Sequence, residues 1–333
     1  MSNKIYIIAE AGVNHNGRID LAKKLIDVAS LAGADAVKFQ AFKTEHLIID
    51  NIKKAPYQKK NTDPNISQSE MLKSLELNLK GYKVLKKYCE SKKIEFLITP
   101  FDEESLIELE SLNLNSYKIA STDATNIPFL KKVAKTGKKI ILSTGMCYMS
   151  EVERAVESIL HLNKNLVLMH CTANYPTYNN EVNLNVLKTY NEKFDCTLGY
   201  SDHTIGFGAS LYAIPMGAKY IEKHFTLNKN DSGPDHKASL SPEELKEYVS
   251  EIRKIEIFLG ENEKKPTASE LDTRKSLQKC FVAKRYINKG ELLNDDNIVA
   301  KRTGGRGISP FKYDIVFGTY AISDFHHNDI IKI

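Results

Sequence analysis

The chain has 333 residues, of which 42% are hydrophobic and 27% charged, and a formal net charge of +5. That length suits a β/α barrel of about 250 residues with a smaller unit attached. No apolar run approaches the ~18 residues of a membrane span, Glu10 breaks the apolar stretch near the start, and the positive charge forms no basic block. A membrane-spanning helix is thereby excluded, nucleic-acid binding is poorly supported, and a cytoplasmic location without membrane association is expected.

Eight short β-branched or apolar runs are expected as strands: residues 5–11, 36–40, 95–99, 116–121, 140–144, 166–171, 197–201 and 220–225. Helical patterns separate them. In residues 20–32, Leu21, Leu25, Val28, Ala29 and Ala32 recur with a 3.6-residue period, and Gly33 is placed to end the helix in left-handed geometry. Eight alternations favour a closed parallel α/β barrel, a (β/α)8 TIM barrel, over residues 1–260. Residues 51–69 are polar and proline-punctuated, which suits either a lid over the active face or a solvated insertion. Residues 261–273 are charged and aperiodic, as a linker would be. Residues 274–333 alternate short apolar runs (Cys280 to Ala283, Ile298 to Ala300, Tyr320 to Ile322) with turn signals, as in a small loop-rich domain. The five cysteines, Cys89, Cys147, Cys171, Cys196 and Cys280, are scattered without a Cys-x-x-Cys pair and read as buried free thiols.

In such a barrel the chemistry collects where the strands end. Those ends carry Glu10, Lys38 with Gln40, Thr99, Lys118 with Ser121 and Asp123, Ser143, Ser201 with His203, and Glu222 with His224. His203 and His224 are 21 residues apart on successive strands, and Glu222 shares a strand face with His224. One histidine there is commonly a satisfied rim residue; the pair, with carboxylates beside it, favours a metal site. Two lysines converging with several hydroxyls suit a small phosphate-bearing anion. The alternative is that Lys38 and Lys118 simply pair with barrel glutamates such as Glu10.

Nine motifs in order resemble the sialic acid synthase family: Ala9-Glu10-Ala-Gly-Val-Asn14-His15-Asn-Gly17, Val37-Lys38-Phe-Gln40, Thr99-Pro100-Phe101, Tyr117-Lys118-Ile-Ala-Ser121, Leu142-Ser143-Thr144-Gly145-Met146, His170-Cys-Thr-Ala-Asn-Tyr175-Pro176, Gly199-Tyr-Ser201-Asp202-His203, Ile221-Glu222-Lys-His224-Phe225 and Ser232-Gly-Pro-Asp235-His. The final segment, with Lys289-Gly290-Glu291 and Lys301-Arg302, is similar to the antifreeze-like (SAF, β-clip) domain appended to those barrels. The resemblance implies condensation of phosphoenolpyruvate with an N-acylated mannosamine-type sugar to a nonulosonic acid and phosphate. It implies that Lys38, Thr99, Lys118, Ser121, Ser143 and Ser201 hold phosphoenolpyruvate, and that Gln40, Tyr175, Asp235 and Arg302 meet the sugar. Glu10, Asp123 and Glu222 are then the candidates for proton transfer, and His203 and His224 for a divalent cation, Mn²⁺ first with Mg²⁺ or Co²⁺ as alternatives. It further implies a domain-swapped homodimer in which one chain's small domain covers its partner's barrel.

Three positions depart from the common family pattern. Asp123 stands where glutamate is frequent, Phe39 where histidine is frequent, and Ala173 where asparagine is frequent. A more apolar lining suits a less hydroxylated sugar and favours the legionaminic acid branch, whose substrate is 2,4-diacetamido-2,4,6-trideoxymannose. The alternatives are a synthase using N-acetylmannosamine, the pseudaminic acid branch, another phosphoenolpyruvate–aldose condensation enzyme or a divalent-metal barrel aldolase, and a catalytically silent sugar-binding protein.

Overall fold

All eight expected runs are strands in the computed structural model, which describes residues 4–333: β1 Tyr6–Gly12, β2 Ala36–Ala41, β3 Glu95–Pro100, β4 Ser116–Ile119, β5 Lys139–Ser143, β6 Leu166–Cys171, β7 Thr197–Asp202 and β8 Tyr220–His224. Neighbours pair in parallel in the order β3-β2-β1-β8-β7-β6-β5-β4. At the remaining seam β3 lies against β4, and Ser116 Oγ donates to Glu95 Oε1 at 3.1 Å. The barrel is therefore a TIM barrel, with helices following its strands. Strand β4 stops two residues short of expectation because Ser121–Asp123 coils into a 3₁₀ turn.

Two-residue periodicity sorts the side chains. Ile8, Ala36, Leu97, Ile141, Val167 and Met169 form one cluster inside the barrel, with Tyr6 and Tyr220 packed against it. The alternate residues, among them Ile7, Val37, Phe39, Ile98, Leu142 and Leu168, belong to the larger core between strands and helices. Phe39 is thus fully buried on the outer face, its ring 5.7 Å from that of Phe96. This corrects the expectation that Phe39 lines the substrate pocket: Lys38 and Gln40 point inward, so the residue between them cannot. Two residues beyond Ile8, Ala36, Leu97 and Ile141 come Glu10, Lys38, Thr99 and Ser143, so the barrel interior changes from apolar to polar within one layer.

The helix Ile19–Ala32 ends at Gly33, whose φ of 85° is the left-handed geometry that glycine adopts without strain. Residues 51–69, read from the sequence as a loop, are only partly irregular. Pro56–Asn61 is a helix started by proline at its first turn, and Gln68–Leu75 begins at a capping box of Ser67 and Glu70.

The chain divides into two compact units, the first ending at Gly260 and the second spanning Glu261–Ile333. In the second, the expected linker runs into the helix Glu270–Leu277, where Glu270 Oε2 accepts the Thr267 amide at 2.8 Å. Strands β9 Lys279–Ala283 and β10 Ile298–Arg302 pair antiparallel around a core that includes Phe281, Ile287, Leu293, Ile298, Phe325 and Ile331. The run at Tyr320 makes only an isolated bridge to Leu292. All five cysteines are free; Cys147 and Cys196 are half-buried rather than buried. Among the described residues no helix is long and apolar enough to cross a membrane.

Behind the site, Lys223 and Asp202 are each 1% exposed, 3.2 Å apart; Asp202 also accepts from Thr204 Oγ1 and Ser210 Oγ, both at 2.7 Å. Removing one partner strands the other charge away from water. Asp202→Ala should lower unfolding free energy by about 3–5 kcal/mol, read by denaturant titration, and a loss under about 1 kcal/mol would contradict a buried pair.

Candidate active site

Four charged side chains meet on top of the apolar plug. Lys38 Nζ lies 3.3 Å from Glu10 Oε1, 3.3 Å from Glu222 Oε2, and donates to Thr99 Oγ1 at 3.3 Å. Lys118 Nζ donates to Ser143 Oγ at 2.6 Å and lies 3.8 Å from Glu222 Oε1. Ser201 Oγ donates to the same Glu222 oxygen at 2.9 Å, and Gln40 Nε2 to Glu10 Oε1 at 3.0 Å. Every one of these charged groups is at most 5% exposed. The pairing of Lys38 with Glu10, raised as the structural alternative, is therefore present, and it sits within the same cluster as the hydroxyls expected around a phosphate.

Burial and neighbours divide the two carboxylates. Burial raises the Glu10 carboxyl, Lys38 opposes that shift and Glu222 adds to it, leaving it above the usual range. For Glu222 burial acts the same way, but Lys118 and Lys38 outweigh it and hold the group ionised. Burial favours neutral Lys118, Glu222 opposes and Lys38 repels, and the ammonium is pulled down to about 8. Lys38, against the same burial, stays above its ordinary value because Glu10 and Glu222 both touch it.

Beside this cluster His203 and His224 face each other with ring centroids 5.6 Å apart. His203 Nδ1 lies 2.7 Å from the Thr172 carbonyl, which fixes Nδ1 as the donor and leaves Nε2 a lone pair. His224 Nδ1 is buried without a hydrogen-bond partner, 3.9 Å from Asp235 Oδ2. Burial keeps both rings neutral, pulling His203 down to about 4 and His224 well below its ordinary value. Two neutral, adjacent imidazoles, one with an orphaned nitrogen, fit a divalent cation. Among the described residues no third histidine, cysteine or carboxylate completes a metal-binding group with them. Tyr175 packs on His203 at 4.2 Å and on His224 at 5.6 Å. Asp235, buried near Glu10, is pushed up to about 7, first by that burial and then by Glu10's charge.

A cavity of about 980 Å³ opens from this floor, lined among others by Gln40, Ser121, Ala173, Tyr175, His224 and Asp235. Ser121 Oγ accepts the Gly145 amide at 2.8 Å. Asp123 is engaged elsewhere: Asn126 Nδ2 donates to it at 3.1 Å, and its acidic neighbour is Asp102. Arg302 ends β10 in the second unit with its side chain exposed. Sequence reasoning missed Tyr57 and Asn61 of the helix Pro56–Asn61. The Tyr57 ring lies 5.0 Å from Tyr175, and Asn61 Nδ2 donates to the Pro234 carbonyl at 2.9 Å. The only signal was Pro56, a helix starter inside a stretch read as loop.

A barrel with two buried lysines, two carboxylates of opposite protonation tendency and paired neutral histidines at its mouth carries the acid, base and cation-holding groups of an enzyme site. The chain belongs to the NeuB family, whose model matches residues 25–264, and residues 278–333 match the SAF domain. It is 47% identical, over 99% of both chains, to the N,N'-diacetyllegionaminic acid synthase of Campylobacter jejuni. The enzyme of that name from Legionella pneumophila is 43% identical over 94% of this chain and 89% of its own. Among solved structures, the N-acetylneuraminic acid synthetase of Leptospira borgpetersenii, in complex with citrate, superposes with a TM-score of 0.74 at 36% identity, covering 83% of this chain and 93% of that one.

Lys118, at about 8, should be largely neutral in free enzyme at pH 8.5 and regain its proton when an anion arrives. Calorimetry of phosphoenolpyruvate binding in buffers of different ionisation enthalpy should show proton uptake at pH 8.5 that fades by pH 7. Uptake that is equal at both values would mean that Lys118 does not meet the ligand.

Proposed function

We propose that the chain condenses phosphoenolpyruvate with 2,4-diacetamido-2,4,6-trideoxymannose to give N,N'-diacetyllegionaminic acid and phosphate. The observation that carries this reading is the buried cluster of Lys38, Lys118, Glu10 and Glu222 beside two neutral histidines, in a chain 47% and 43% identical to synthases of that product. A silent sugar-binding protein has no use for two buried lysines and two carboxylates on one floor, since each costs several kcal/mol of desolvation.

Lys38, Lys118, Thr99, Ser143 and Ser201 bind phosphoenolpyruvate, and Ser121 meets it from the side wall. The cluster carries two ammonium groups against two carboxylates, so an entering anion favours the protonated form of Glu10, which burial already favours. C3 of phosphoenolpyruvate attacks the aldehyde carbon of the open-chain sugar, and the carbonyl oxygen takes a proton to become a hydroxyl. Water then adds at C2 of the former phosphoenolpyruvate, the C–O bond to phosphate breaks, and a ketone and inorganic phosphate result. Glu10 is the group best poised to give a proton, and Glu222, held ionised, to take one from the water. His203 and His224 would hold a divalent cation, Mn²⁺ in this reading, which would supply Lewis-acid polarisation of the aldehyde. Gln40, Tyr175 and Asp235 hold the sugar, while Asp123 acts at most through Asn126 and the 3₁₀ turn that carries Ser121. Arg302, from the small domain of a partner in a homodimer, reaches the sugar's acylamino group. Consumption of phosphoenolpyruvate goes with a cytoplasmic location.

Phosphate release from phosphoenolpyruvate tests the reaction and its sugar together. The 2,4-diacetamido-trideoxy sugar should be turned over with the higher kcat/KM, N-acetylmannosamine with a lower one, and neither sugar should be needed for proper folding. Higher specificity for N-acetylmannosamine would replace the proposed substrate, and no release with either sugar would remove the synthase reading.

Metal dependence and the capping role have their own outcomes. Chelation should abolish turnover and Mn²⁺ restore it; full activity in a verified metal-free preparation contradicts the cation's role. Arg302→Ala should raise the sugar's KM and leave metal content unchanged, and unchanged sugar kinetics in a folded variant contradict the cap.

A further inference from the structure

Asn14, two residues past the end of β1, does not line the cavity, yet its side chain ties together two residues that do. Its Nδ2 donates to the Phe225 carbonyl at 2.8 Å and to Ser239 Oγ at 3.0 Å, and Ser239 Oγ donates in turn to the Asp235 carbonyl at 2.7 Å. Phe225 directly follows His224. One amide group thus serves His224 with one hydrogen and Asp235 with the other. Asn14 and Ser239 are each 2% exposed, and Asn14 Oδ1 is buried without a partner. An apolar residue of like volume would not bear that cost, so the two N–H donors are what the position requires.

The Asp235 carboxylate needs such support. Its Oδ2 lies 3.9 Å from His224 Nδ1, beyond hydrogen-bond reach, so its direction into the cavity is set by the backbone that carries it. That backbone is laid beside the end of β8 by bonds from the Leu240 amide to the His224 carbonyl and from the Thr226 amide to the Leu240 carbonyl, both at 2.9 Å. The fully buried His236 wedges it from the other side. Its Nδ1 lies 2.7 Å from Thr226 Oγ1 and its Nε2 3.3 Å from Asn16 Oδ1, and a Cβ on Gly233 would come within 2.7 Å of its ring.

We infer that Asn14 is a positioning residue that holds His224, through Phe225, and Asp235, through Ser239, in place at the cavity. The inference rests on the proposed reaction, in which His224 helps to hold the cation and Asp235 meets the sugar. Without the two donors the Phe225 carbonyl and the Ser239 hydroxyl lose a buried partner, and a small shift of a ligating ring or a substrate-facing carboxylate is costly. The hydrogen bonds of Asn14 and Ser239 do not reach Lys38, Thr99, Lys118 or Ser143, so phosphoenolpyruvate affinity distinguishes this role from general damage.

The test reads Mn²⁺ affinity by electron paramagnetic resonance titration without substrates, phosphoenolpyruvate affinity by calorimetry, and the sugar's KM by phosphate release. Ser239→Ala should raise the sugar's KM about fivefold and leave Mn²⁺ affinity native, whereas Asn14→Ala should raise that KM and also weaken Mn²⁺ binding, each about tenfold. Both should keep phosphoenolpyruvate affinity within about twofold, and the double variant should raise the sugar's KM no further than Asn14→Ala alone, since the two residues act along one path. Should Asn14→Ala fail to fold, the sugar's KM in Ser239→Ala decides alone. An unmoved KM in folded Ser239→Ala, an unmoved Mn²⁺ affinity in folded Asn14→Ala, or a matching loss of phosphoenolpyruvate affinity overturns the inference and leaves the proposed reaction intact. A native chain that binds no Mn²⁺, or that releases phosphate with neither sugar, instead removes the proposed reaction and the inference with it. Preference for N-acetylmannosamine changes only the sugar on which KM is read.

Discussion

Everything at the mouth of this barrel depends on Lys38 being held between two carboxylates. Its ammonium sits 3.3 Å from Glu10 and 3.3 Å from Glu222 on top of a plug of aliphatic side chains, where an unpaired charge would be untenable. Lys118 adds a second cation on the far side of Glu222. The result is an unevenly charged cluster: one carboxylate is kept ionised by two lysines, and the other is left inclined to hold its proton. Such splitting of two like groups by environment is how one site supplies both an acid and a base near neutral pH.

The same logic prepares the histidines. Burial strips them of their charge, the Thr172 carbonyl selects the tautomer of His203, and Tyr175 packs both rings against the floor. Preorganisation of this kind needs rigid support, which comes from the outer face of the strands. Asp202 and Lys223 flank the functional residues in sequence yet point the opposite way, pairing behind β7 and β8. The ends of β7 and β8 thus pair inward chemical residues with outward residues that hold them still.

Much of this was legible in the sequence because a strand's period is two. Once β1 to β8 were recognised, Glu10, Lys38, Thr99, Lys118, Ser143, Ser201, Glu222 and His224 fell at strand ends without further information. The same rule, applied to Phe39, contradicts the role expected of it, since it lies between two inward residues. The insertion was opaque for a different reason. Its helices are short, the lysine-rich Pro56–Asn61 buries none of its own residues, and its order comes from contacts to Tyr175 and Pro234 more than a hundred residues away. Asp123, a candidate for proton transfer only through the family resemblance, ends the 3₁₀ turn with its carboxylate accepting from Asn126.

The account stands or falls on whether the lysine–carboxylate cluster is the seat of phosphoenolpyruvate. The most direct measurement is the calorimetric affinity of phosphoenolpyruvate for Lys38→Met, with folding verified by circular dichroism and metal content measured alongside. The account requires affinity to fall at least a hundredfold, equivalent to about 2.7 kcal/mol, with metal content unchanged. A folded Lys38→Met protein that binds phosphoenolpyruvate as tightly as the native chain would contradict it.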